Sequence, residues 1–307
     1  MLIQFKRQQN RLEPLNLTPH KPQSINNITE QTNSSFVEEI LKELNELIGL
    51  EKVKYIFHEI YAFARIQKKR QKEKLYNEPM VLHMVFKGNP GTGKTTVARI
   101  AGKLFRELGL LQKGHLIEIE RADLVGEYIG HTAIKTREQI KRALGGILFI
   151  DEAYSLARGG EKDFGKEAID TMVKAMEDHK DNLVIILAGY PSEMEWFLRT
   201  NPGLRSRFPI HISFPDYSID ELMLIAEQML KQRQYDFTPQ AKERFKEQLK
   251  NLPPTTIVNG NARLVRNYIE KLIRCQAVRL VKKEIVTRDD LILITEDDIY
   301  SATGNYL

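Results

Sequence analysis

The chain has 307 residues, 42% hydrophobic, 28% charged and 8% aromatic, values of an ordinary globular protein that exclude fibrous, collagen-like and wholly disordered classes. Its 46 Lys and Arg against 41 Asp and Glu leave a net charge of +5, spread along the chain in the manner of a solvated surface. One cysteine, Cys275, excludes an intramolecular disulfide, and no apolar run approaches the roughly 20 residues that cross a bilayer, so a cytoplasmic protein without membrane span or signal peptide is expected.

Residues 1–34 are rich in Gln, Asn, Pro, Ser and Thr and poor in large apolar side chains, which predicts a flexible N-terminal arm. From Phe36, apolar residues recur at three and four positions through Val37, Ile40, Leu41, Leu44, Leu47 and Ile48, with Ser35 as N-cap and Gly49 as stop. A second amphipathic helix is expected from about Glu51 to Lys74, with its basic end read as solvated. From Met80 to about Phe214, the apolar runs VLHMVF, LIEIE, ILFI and LVIILAG alternate with helical segments near 94–108, 133–144, 166–178 and 192–199. Strands alternating with helices imply crossover connections and a parallel sheet covered on both faces. The fold class is therefore α/β, with a doubly wound α/β domain over 35–215 that includes leading helices at 35–78. After Pro215 the pattern turns helical, through Leu222–Leu230, Ala241–Leu249 and Ala262–Val281, and predicts a small α-helical domain over 216–307 with a C-terminal extension.

Between the first expected strand and its helix stands Gly88-Asn89-Pro90-Gly91-Thr92-Gly93-Lys94-Thr95, followed by Thr96, which matches the phosphate-binding loop pattern. Glycines let backbone N–H groups turn towards phosphate oxygens, the helix N-terminus adds positive potential, Lys94 neutralises phosphate charge, and Thr95 offers a hydroxyl to Mg²⁺. A dinucleotide site would use another glycine spacing and no Lys-Thr pair, so the expected ligand is a nucleoside triphosphate with Mg²⁺. Further on, Ile147-Leu148-Phe149-Ile150-Asp151-Glu152 is an apolar strand ending in two acids. Its carboxyl end should face the same crevice, where Asp151 can serve the Mg²⁺ shell and Glu152 can polarise an attacking water. Two acids there favour hydrolysis over transfer to a small molecule.

GNPGTGKTT, ILFIDEA and NPGLRSRF together resemble an AAA+ ATPase, a P-loop NTPase with a helical lid. RADLVGEYIGHTA, ILFIDEAYSLARGGEKDFGKEAIDT and LAGYPSEM resemble more narrowly the branch of sporulation ATPases and red-type Rubisco activases, and the second string points to the sporulation side. The resemblance runs from about Leu44 to Leu280, leaving out the arm and the final 25 residues. It implies a homohexameric ring with ATP at subunit boundaries and a protein client. By the same resemblance, Arg207 is the arginine finger reaching a neighbour's γ-phosphate, with Arg205 as rival. Arg263 is the lid arginine on the phosphates, with Arg266 as rival. Tyr128-Ile129-Gly130 is the pore loop that grips polypeptide, and Ile48 and Gly49, with Leu50, pack near adenine or simply turn between helices. Tyr190 stands where relatives place a polar first sensor, so that assignment is open. The functional alternatives are a Rubisco-activase-like remodeller and a nucleic-acid-associated switch, the latter without a helix-turn-helix, zinc or stacking module.

Overall fold

The computed structural model describes residues 26–77, 80–128, 130–159 and 163–303, side chains of 26–34 excepted. Two helices lead, α1 (Asn26–Asn45) and α2 (Glu51–Lys72). Helix α1 begins at Asn26 where the arm expected over 1–34 should still run. Residues 26–35 hold neither proline nor glycine, so a helix nucleated by the packed stretch from Val37 to Leu44 propagates backwards without a breaker. Residues 1–25 of the expected arm lie outside the described residues.

The α/β body follows as β1 (Met84–Gly88), α3 (Lys94–Glu107), β2 (Leu116–Ile119), α4 (Arg121–Leu124), α5 (His131–Ala143), β3 (Ile147–Ile150), a 3₁₀ turn (Ala153–Ala157), α6 (Gly165–Asp178), β4 (Val184–Gly189), α7 (Pro191–Thr200), α8 (Pro202–Arg207) and β5 (Ile210–Phe214). The strands form one parallel sheet in the order β2-β3-β4-β1-β5. Alternate side chains feed two cores. Met84, Phe86, Ile147 and Phe149 pack with Val53, Phe57 and Leu104 on one face, while Val85, Leu148 and Ile150 pack with Ile140, Met172 and Phe197 on the other. Strand β4 separates β3 from β1, with Lys87 opposite Gly189 and Ile150 opposite Leu187. That register brings the carboxyl ends of β1, β3 and β4 to one rim.

The lid comprises α9 (Ile219–Gln232), β6 (Asp236–Phe237), α10 (Pro239–Asn251), α11 (Pro254–Val281), α12 (Arg288–Ile292), β7 (Leu293–Ile294) and α13 (Glu296–Thr303). Its core holds Leu222, Phe245, Val265, Ile269 and, from the last segment, Ile294, Ile299 and Ala302. Buried Asp298 accepts from Arg279 Nε and Nη2 at 2.8 and 3.0 Å, and Gln276 Nε2 donates to the carbonyls of Asp290 and Leu293 at 3.0 Å each. The C-terminal segment thus completes the lid. Helix α9 opens with a capping box in which Ser218 and Glu221 satisfy each other's backbone N–H. Helix α11 breaks at Asn261, whose φ of 44° and ψ of −130° are not helical.

Candidate nucleotide site

The phosphate loop leaves β1 at Gly88 and enters α3 at Lys94. Gly91 and Gly93 adopt φ of +74° and +96°, conformations open to glycine without strain. Gly91 has a second reason to lack a side chain, since a Cβ there would lie 2.2 Å from the Gly260 carbonyl of the lid. A cleft of about 450 Å³ opens here, lined by Gly88, Pro90, Gly91, Gly93, Lys94, Thr95, Thr96, Asp151, Glu152, Tyr190, Arg263 and Arg266, among others. The sequence-predicted residues of three strand ends therefore meet.

Lys94 Nζ donates to the carbonyls of Gly88 at 2.7 Å and Asn89 at 2.9 Å, so the ammonium is held inside the loop. Thr92 Oγ1 donates to the same Asn89 carbonyl at 2.8 Å. Burial pushes the Lys94 ammonium below its ordinary value; Asp151 opposes that shift and nearby Arg263 adds to it. Arg263 lines the same cleft as Lys94 and brings a second cation to it. Asp151 accepts from the backbone N–H of Glu152 at 3.0 Å. Glu152 itself sits at φ 47°, ψ 41°, a left-handed conformation uncommon for a side-chain-bearing residue and of a kind that collects at functional sites. The hydroxyl of Thr95 and the carboxylate of Asp151 share the cleft and are hard oxygen donors, the chemistry that suits Mg²⁺.

The lid meets Asn89 of this loop through Asp216 and Asn261, to which the sequence reading assigned no role. Asn89 Nδ2 donates to both carboxylate oxygens of Asp216 at 2.9 and 3.0 Å. Asn261, fully buried, donates from Nδ2 to Asp216 Oδ1 at 2.8 Å, to the Val258 carbonyl at 2.9 Å and to the Pro90 carbonyl at 3.3 Å, and its Oδ1 accepts from Tyr217 N at 3.0 Å. The next residue, Ala262, donates its N–H to the Gly91 carbonyl at 3.2 Å. These bonds hold the kink of α11 against the loop and set Arg263 in the cleft. Arg99 and Glu120 also line it. The Gly260-Asn261 dipeptide inside a helical pattern was the available signal for the kink; nothing local marks Asp216.

Other predicted residues lie elsewhere. Ile48 packs against the lid core, and a Cβ at Gly49 would run into Glu221 and reach Tyr217; neither residue lines the phosphate cleft. Leu50 and Tyr217 approach Gly93, and Tyr217 Oη donates to the Thr92 carbonyl at 3.2 Å. Tyr128, 66% exposed, stands on the loop between α4 and α5 with its ring edge-on to His131 at 5.4 Å; Gly130 follows at φ +83°, and Ile129 lies outside the described residues. The base of that loop is tied to the neighbouring loop, because Arg121 bonds Asp163 at 2.6 and 3.0 Å and the Ser155 carbonyl at 2.6 Å. Arg207 lies at the end of α8, outside the cleft, paired with Glu177. Arg205 is exposed on the same short helix. Among the described residues no three His, Cys, Asp or Glu side chains are grouped in the manner of an all-protein metal site, and no helix is long and apolar enough to cross a membrane.

A parallel sheet in this strand order, a phosphate loop after its first strand, an acidic pair after its third and a helical lid define a P-loop ATPase of the AAA+ class. Residues 84–216 match the model of the ATPase family associated with various cellular activities, and residues 218–305 match the AAA lid domain. The chain belongs to the AAA family and is an ATPase. The lid match corrects the expectation that the final 25 residues fall outside the resemblance, as their packing in the lid core requires.

The chain is 56% identical over 271 residues to stage V sporulation protein K of Bacillus subtilis, covering 88% of this chain and 84% of that protein. It is 46% identical over 285 residues to protein CbbX of Cereibacter sphaeroides, covering 91% of each. It is 44% identical over 277 residues to the chloroplastic ribulose bisphosphate carboxylase/oxygenase activase of Cyanidioschyzon merolae, covering 89% of this chain and 94% of that one. Among solved structures, the FIGL-1 AAA domain in complex with ADP superposes with a TM-score of 0.57 at 20% identity, over 84% of this chain and 82% of that one, a likeness of fold.

Proposed function

We propose that this ATPase assembles as a homohexamer and couples ATP hydrolysis to remodelling or threading a protein client in the cytoplasm of a sporulating bacterium. In this reading the loop Gly88–Thr96 and Lys94 hold the phosphates and Arg263 of the lid contacts them. Thr95 and Asp151 hold Mg²⁺, which supplies charge neutralisation of the transferring phosphoryl group when bound. Glu152 accepts hydrogen bonding from the attacking water and polarises it. Arg207 reaches the γ-phosphate bound by the next subunit, where a planar cation stabilises charge on the transferring group. Motion between the body over 35–215 and the lid over 216–307 carries the work to Tyr128, Ile129 and Gly130.

The observation that carries this reading is Tyr128: a ring left 66% exposed two residues before a glycine, on a loop whose base is tied to the segment following the acidic pair. An exposed aromatic ring on such a loop suits sequence-tolerant contact with polypeptide. The 56% identity to stage V sporulation protein K supports the sporulation setting. A second reading, a remodeller of a metabolic enzyme, is favoured by the identities to CbbX and to the carboxylase activase. The nucleic-acid switch has only the net charge of +5 in its favour.

The test measures ATP turnover with and without an unfolded model protein. Wild-type turnover is expected to rise with the polypeptide, while Tyr128→Ala keeps basal turnover and loses the stimulation. Equal stimulation of both proteins would remove Tyr128 from client contact. Stimulation by ribulose bisphosphate carboxylase/oxygenase, and not by unfolded protein, would favour the second reading.

A further inference from the structure

Arg207 is held within its own chain. Its Nε and Nη2 both donate to Glu177 Oε1, at 3.2 and 2.5 Å, and its Nη1 donates to the Gly203 carbonyl at 3.0 Å. A guanidinium has five N–H groups. These three bonds leave one N–H on each terminal nitrogen, the pair that points away from the side chain and can grip two oxygens of one phosphate. Both holders are rigidly based. Glu177 is on the last turn of α6, next to buried Ala175 and Met176, and α8 is pinned by buried Leu204 and Phe208, all four in one core cluster. The pair is open to solvent, with Arg207 34% and Glu177 62% exposed, so it adds little to stability. Its effect lies in fixing the plane of the guanidinium.

We propose that Glu177 is a positioning residue for hydrolysis: with the Gly203 carbonyl it orients Arg207 so that the free end of the guanidinium meets the γ-phosphate bound by the next subunit. This rests on the reading of Arg207 as a finger acting across a subunit boundary. A long arginine side chain left to itself samples many rotamers, and misplacement of a charge-stabilising group by about 1 Å costs up to about a hundredfold in rate. A carboxylate on one edge leaves the other edge available, whereas a carboxylate across the free end would compete with phosphate.

The experiment is a double-mutant cycle on the assembled full chain, with ATP turnover and ring mass by light scattering read on each preparation. Glu177→Gln is expected to lower kcat about tenfold while KM for ATP stays within about twofold, because the neighbour's phosphate-binding residues are untouched. In an Arg207→Ala background the same substitution should have no further effect, since Glu177 acts only through Arg207. Glu177→Asp, which keeps the charge on a shorter stem, should fall between Gln and wild type. An unchanged or raised kcat in Glu177→Gln overturns the proposal, as does an equal loss in both backgrounds or loss of the ring. Failure of the underlying reading is separately visible: Arg207→Ala alone would then keep wild-type turnover.

Discussion

Asn261→Ala offers a quantitative test of how the lid is tied to the phosphate loop. The substitution removes the donor at 2.8 Å from the Asp216 carboxylate, two bonds to the carbonyls of Val258 and Pro90, and the acceptor of the Tyr217 N–H. A hydrogen bond to a charged group contributes about 1.5–3 kcal/mol and a neutral one about 1 kcal/mol; the bond to Pro90 and the one to Asp216, which Asn89 also binds, tie lid to loop, so lid docking should lose about 3 kcal/mol. Alanine would also remain at φ 44°, without the local bonds that offset the strain. Because Arg263 reaches the cleft only from a docked lid, ATP affinity should fall about tenfold to a hundredfold, each tenfold corresponding to about 1.4 kcal/mol. The assay is titration with a fluorescent ATP analogue. Asn261→Gly should lose affinity similarly but be about 1 kcal/mol more stable than the alanine variant, since glycine relieves the backbone. Affinity of Asn261→Ala within twofold of wild type would refute the latch.

Two further outcomes follow from the body of the protein. Glu152→Gln should bind ATP normally and lose about a hundredfold or more in turnover, because an amide cannot polarise water as a carboxylate does; wild-type turnover would take Glu152 out of the reaction. Burial holds His83 down to about 4, and its Nδ1 accepts from the Ile185 N–H at 3.0 Å, so the folded state keeps the ring neutral. A base whose folded value is depressed contributes stability that is whole above its unfolded value near 6.5 and is lost as pH falls towards 4, by about 2 kcal/mol at pH 5. Urea unfolding at pH 7 and pH 5 should reveal that loss in wild type and a smaller one in His83→Gln; parallel losses would place the titration elsewhere.

The nucleotide cleft was legible because its parts are local. Glycines at fixed spacing before a helix, and two acids after a wholly buried strand, state their backbone needs within a few residues. Strand β5 was not marked in the sequence because it lies at the sheet edge, where Ile210–Phe214 alternates burial and carries His211 and Ser213 outward. The pairing of β6 with β7 escaped because two-residue strands carry no periodicity. Contacts between distant residues were silent as well. Asn89 and Asn261 meet through Asp216, and no local pattern encodes which asparagine will accept a strained backbone to do so. The finger assignment came from resemblance, whereas the Glu177 that holds Arg207 appears only when α6 and α8 are packed side by side.

In the proposed ring, hydrolysis needs two subunits, one supplying the phosphate loop and the other Arg207. Mixing Lys94→Ala chains with Arg207→Ala chains, each far below wild-type turnover alone, asks this of the ring itself, since a mixed boundary can pair an intact loop with an intact finger. For random equimolar mixing in a head-to-tail ring, about a quarter of the boundaries carry that pairing, so turnover should recover to about a quarter of the wild-type level. Turnover that stays at the level of the separate variants, in rings shown to contain both chains, would contradict the account.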